Sequence, residues 1–78
     1  MNYYLILEIQ HDEGISNAVN FLLQTEEELK SVATWTGKNV VLSEYDEESN
    51  TYSEYEFKKI SSLAFEEMKK DFPIWNKL

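Results

Sequence analysis

From Tyr3 to Leu7 the chain reads Tyr-Tyr-Leu-Ile-Leu, five apolar side chains in succession. An extended segment sends successive side chains to opposite faces, so this one is apolar on both. It suits a strand inside a sheet and not one at an edge. The segment Asn2 to Gln10, rich in aromatic and β-branched residues, is therefore expected to be a central strand around which the fold is built. The rest of the chain has little else to build with. It has 78 residues and no cysteine, which predicts one compact domain over residues 1–78 with no disulfide or thiolate metal site to brace it. A chain of this size buries only about 60% of its unfolded surface. Stability must come from apolar packing or from association. Five Tyr, four Phe and two Trp supply much of that packing and set the chain apart from disordered sequences of similar charge.

Turn and cap signals divide the remainder. His11 to Gly14 reads as a turn, with Glu13-Gly14 able to close a hairpin. Ile15–Gln24 fits two templates: Val19, Phe21 and Leu23 alternate as in a strand, while Ile15, Ala18, Val19 and Leu22 fall at helical spacing. The strand is preferred because Thr25-Glu26-Glu27-Glu28 forms a capping box that would start a new helix at Glu26. That helix would bury Leu29, Val32 and Ala33, carry Thr36 on the same face and Trp35 at its edge, and stop at Gly37. Asn39 to Tyr45 reads as a strand. Thr51 to Lys59 alternates, with Ser53, Tyr55 and Phe57 on one face and Tyr52, Glu54, Glu56 and Lys58 on the other, the latter expected to be exposed. Ser61 or Ser62 caps a last helix with Ala64, Phe65, Met68 and Phe72 in one stripe. Pro73 ends it, and Ile74 and Trp75 are expected to fold back. The expected fold is α+β: a small antiparallel sheet of about four strands with two helices on one face, in the order strand-strand-helix-strand-strand-helix.

Composition narrows function by exclusion. Seven Lys against fifteen Asp and Glu give a net charge of −8, and there is no arginine. Arginine is the usual bidentate ligand of phosphate and guanine. A chain without it and this acidic is ill suited to nucleic acid or an anionic membrane, and suited to a basic surface. The N-terminus has no basic targeting region and no membrane-length apolar run, so a cytoplasmic location is expected. The single histidine, His11, reads as an exposed turn residue. With one His and no Cys, zinc is not expected. Gly14 and Gly37, the only glycines, stand in no phosphate-binding motif. Counting an EF-hand loop from Asp46 puts Thr51 at the sixth position and Phe57 at the twelfth, where Gly and Glu are required. Glu54 and Glu56 share a strand face about 6.6 Å apart, a separation some glycosidases use, but on a face with no expected cleft. No enzyme activity, cofactor or metal is expected.

What remains is the stretch Ser43 to Glu56, with six carboxylates and no basic residue. Glu44, Asp46, Glu47, Glu48, Glu54 and Glu56 crowd one hairpin, interleaved with Tyr45, Tyr52 and Tyr55. Tyrosines are common at interface centres. Acids on a hairpin also serve solubility and deter edge-to-edge aggregation. In size, charge and this hairpin the chain resembles the compact acidic inhibitors of phages and mobile elements, such as anti-CRISPR proteins and other nucleic-acid mimics, and bacterial immunity proteins against nuclease toxins. The resemblance rests on profile and not on matched motifs, and assigns no residue a role. It implies a non-enzymatic protein that blocks the basic, nucleic-acid-binding surface of a nucleic-acid-processing partner, with those nine residues as contacts. The alternative is a small structural subunit or homodimer that associates through an apolar face and a sheet edge; Phe72, Ile74, Trp75 and Leu78 could contribute to such a face.

Overall fold

A computed structural model of the chain describes residues 1–33 and 39–76. Its frame is a four-stranded antiparallel sheet of β1 (Asn2–Asp12), β2 (Ile15–Thr25), β5 (Leu42–Asp46) and β6 (Thr51–Ile60), in the order β2-β1-β6-β5. The doubly apolar first strand is thus inside the sheet, as its pattern requires. β3 (Val32–Ala33) and β4 (Asn39–Val40) form a separate two-stranded ribbon, and α1 (Ser62–Met68) is the one helix among the described residues. That helix is neither long nor apolar enough to cross a membrane.

β1 and β2 join through Glu13 and Gly14, whose φ values are +44° and +84°. Two consecutive positive φ values define the hairpin turn whose twist matches that of the flanking strands. The pairing then runs without interruption from Asp12↔Ile15 to Asn2↔Thr25. β5 and β6 join through Glu47 to Asn50. Asp46 Oδ1 accepts from the Glu48 N–H at 3.0 Å, and Asn50 takes the positive φ of +54°, which asparagine tolerates better than most residues.

The register sorts the side chains. Tyr4, Ile6, Phe21, Leu23, Tyr55, Phe57 and Leu42 share one face. Tyr4, Ile6, Leu23 and Tyr55 are buried there with Trp75. Trp75 reaches this core because the C-terminal segment runs beside β2: the Leu22 N–H donates to the Pro73 carbonyl at 2.8 Å and the Trp75 N–H to the Leu22 carbonyl at 2.7 Å. Trp75 folds back as expected, with its ring 5.5 Å from Tyr55, whereas Ile74 stays 54% exposed. On the other face α1 lays Phe65 against Tyr3, ring centroids 5.1 Å apart. Ser61 is its N-cap, accepting from the Ala64 N–H at 3.1 Å.

The expected helix from Glu26 does not form. Thr25 belongs to β2, and its hydroxyl accepts from Glu27 N–H at 3.1 Å instead of Glu28. Asn2 donates to the carbonyls of Glu26 and Glu27, and the Leu29 N–H goes to the Tyr4 hydroxyl. Tertiary partners thus take the backbone groups a helix would have used, and Leu29 packs against the core from a segment that is neither helix nor strand. Val32 and Ala33 enter the small ribbon. Trp35, Thr36 and Gly37 lie outside the described residues. The strand expected over Asn39 to Tyr45 is broken at Val41 into β4 and β5. The result is one helix with the sheet, not two helices on one face.

Candidate functional site

Antiparallel pairing decides where the acids go. β1 pairs with β6 so that Asp12 lies opposite Thr51, which brings the β1–β2 and β5–β6 turns to the same end of the sheet. Five carboxylates gather around them: Asp12 and Glu13 from one turn, Asp46, Glu47 and Glu48 from the other. None of the five is ion-paired among the described residues. Residues 1–29 and 39–57 contain no lysine. The first lysine of β6, Lys58, pairs with Leu5, seven residues along β1 from Asp12, or about 23 Å at strand rise. That is more than two screening lengths at physiological ionic strength. The lysines of β6 therefore do not compensate the negative charge at this end of the sheet.

Each face has a hollow near this end. On one, His11, Tyr45, Tyr52 and Asn50 with the turn residues Asp12, Glu13 and Gly14 line an open cleft of about 490 Å³. Tyr45 and Tyr52 are a cross-strand pair, and the Tyr45 hydroxyl donates to Asn50 Oδ1 at 2.7 Å. The His11 ring lies 6.2 Å from that of Tyr52. On the opposite face Glu8, Gln10, Glu44, Asp46, Thr51 and Ser53 border a polar hollow of about 470 Å³. Aromatic rings on one side and carboxylates on the other can engage cationic side chains in two ways, by the ring faces and by charge-assisted hydrogen bonds.

The nine residues singled out from the sequence do not form one surface. Glu44 and Asp46 point to the face that carries Glu8, while Tyr45, Tyr52, Glu54 and Glu56 point to the other. Glu47 and Glu48 lie in the turn. Two of the nine are not surface groups. Tyr55 is buried in the core beside Trp75. Glu54, expected on an exposed face, is only 1% exposed. His11 is likewise no exposed turn residue: it is the penultimate residue of β1, is half-buried, and holds Ser16 Oγ at 2.8 Å through Nδ1 while Nε2 lies 3.7 Å from Glu54 Oε1. Serine, histidine and glutamate stand in the order of a nucleophile, base and acid. However, 3.7 Å exceeds hydrogen-bonding reach, and neither Ser16 nor Glu54 lines the cleft. Sequence reasoning missed Glu8, Asp12 and Glu13 as site residues. The lysine-free first 29 residues were the available signal; only the pairing of β1 with β6 brings them beside the second hairpin.

No protein-family model, curated protein or solved structure matches the chain. Among the described residues no group of three or more acidic, His or Cys side chains is arranged to hold a metal ion.

Proposed function

We propose that the chain is an acidic binding protein that occupies a basic surface of a partner, one normally given to nucleic acid, and that it acts by blocking and not by catalysis. The observation that carries this reading is the segregation of charge. Asp12, Glu13, Asp46, Glu47 and Glu48 share one end of the sheet, while the two lysines of β6, Lys58 and Lys59, lie at the level of Leu5 and Tyr4. A field of one sign concentrated at one end steers association with an oppositely charged surface and orients the encounter. Tyr45 and Tyr52 add contact area beside the acids, and Glu8 and Glu44 extend the charge along the other face. The contact set is thus the end of the sheet rather than one face of one hairpin.

Two triple charge reversals test this with equal change in net charge. Asp46→Lys/Glu47→Lys/Glu48→Lys alters the acidic end; Glu26→Lys/Glu27→Lys/Glu28→Lys alters the segment that follows β2. The immobilised wild-type chain should capture from a cell lysate a partner that is released by high salt and by added duplex DNA. The first triple should lose it and the second retain it. Full capture by the first triple would refute the reading.

A further inference from the structure

We infer that β2 is a self-association edge, through which two copies of the chain pair antiparallel about a two-fold axis at Asn17. This rests on observations independent of the acidic end. β2 is an outer strand of the sheet, and its eleven residues, Ile15–Thr25, include no charge in a chain where 28% of residues are charged. Its first five residues are exposed, Ile15 by 65% and Val19 by 49%. Natural edges are usually guarded by a lysine, a proline or a bulge. This one has none, and its ladder with β1 is unbroken.

The direction of its backbone groups is known. Leu22 gives both its N–H and its C=O outward to the C-terminal segment. In an antiparallel ladder alternate residues face the same way, so Asn20, Ala18 and Ser16 also direct theirs outward. The C-terminal segment cannot extend its ladder toward them beyond Pro73, which has no N–H to give. Ser16 and Ala18 thus keep outward-facing N–H and C=O groups with no strand partner among the described residues.

A second copy satisfies them. With the axis at Asn17, Ser16 of each copy faces Ala18 of the other, and the two pairs exchange four main-chain hydrogen bonds. On the core-bearing face the same register sets Ile15 of each copy against Val19 of the other, so the two exposed apolar side chains of the strand cover one another. Asn17 faces Asn17. The register ends where the C-terminal segment begins, at Leu22. The strip offers a charged partner of either sign nothing to select, whereas its apolar pattern is its own complement. The copies run antiparallel, so Glu13 of one stands eight residues along the strand from Glu13 of the other, about 26 Å, and the acidic ends point apart. Two chains of charge −8 still repel, and salt screens that repulsion. The pairing is narrow, so the dimer is weak and concentration-dependent.

The absence of native cysteine makes the test clean. Opposed residues of a non-hydrogen-bonded antiparallel pair have Cα atoms about 4.5 Å apart, within disulfide range. Asn17→Cys should therefore give a covalent dimer under mild oxidation, and Ser49→Cys, in the β5–β6 turn, should not. By sedimentation the unmodified chain should dimerise increasingly with concentration and with salt. Val19→Lys, or Ala18→Pro, which removes one outward N–H, should leave it monomeric with an unchanged circular dichroism spectrum. A monomer at all concentrations and salts would overturn the inference. So would equal cross-linking of the two cysteine variants, or a dimer that salt disperses. Each readout uses the chain alone, so none depends on partner capture.

Discussion

Glu54 shows how one residue changes the reading of a surface. As an exposed acid it would reverse to lysine with little effect on the fold. Buried to 1% exposure, between the residues of two neighbouring strands, it cannot take a flexible cation in its place. Glu54→Lys is expected to cost at least about 3 kcal/mol, measured as a lower urea midpoint, whereas Glu48→Lys in the turn should fall within about 0.5 kcal/mol of wild type. Trp75 makes the complementary point. It is 3% exposed, and its indole N–H has no hydrogen-bond partner among the described residues. Its contribution is therefore volume and apolar area. Trp75→Phe should cost about 1–2 kcal/mol and Trp75→Ala about 3–5 kcal/mol, separable by the same denaturation curves. The inward return of Trp75 was legible in the sequence; the burial of Glu54 was not. The burial of Glu54 depends on what crosses above its strand, and strand alternation reports only which side a residue faces.

The elements differ in how far their own residues determine them. The first hairpin is local: Glu13-Gly14 supplies the two positive φ values and the flanking residues extend readily. A Cβ at Gly14 would meet nothing within 4 Å, so substitution there costs backbone strain alone. Gly14→Ala should lose about 1 kcal/mol, Gly14→Asn less, and Gly14→Val more, in thermal unfolding. The last helix is local too, with its Ser61 cap; Ser61→Ala should cost about 1 kcal/mol. The segment after Thr25 is the opposite case. Its capping box is a sound helix signal, yet the Tyr4 hydroxyl and the Asn2 amide compete for the same backbone groups. A helix of about ten residues is marginal on its own. A few tertiary hydrogen bonds and a place over the core outweigh that propensity.

At the scale of the molecule the two proposed associations carry opposite salt dependence. Capture of a basic partner by the acidic end should weaken as salt rises, because attraction is screened. Pairing of two copies through β2 should strengthen, because repulsion is. Measuring both on one preparation distinguishes them without mutation. Overall stability is small, about 4–12 kcal/mol for a chain of this length. A chain ending at Phe72 would lose Trp75 and both backbone bonds to Leu22. It is expected to be largely unfolded at room temperature, seen as loss of the near-ultraviolet circular dichroism signal.

Local chemistry was enough to determine the inner position of the first strand, the Glu13-Gly14 turn, a serine cap at Ser61 or Ser62 and the overall excess of negative charge, while Ile15–Gln24 fitted strand and helix alike. Each follows from neighbours in sequence or from simple counting. Tertiary structure alone decided that the segment after Thr25 is not a helix, that Glu54 and Tyr55 are interior, and that Asp12 and Glu13 join Asp46, Glu47 and Glu48 at one end. These outcomes depend on which strands pair and in which register. Pairing is settled by the burial of whole faces at once, and no local stretch of sequence contains that information.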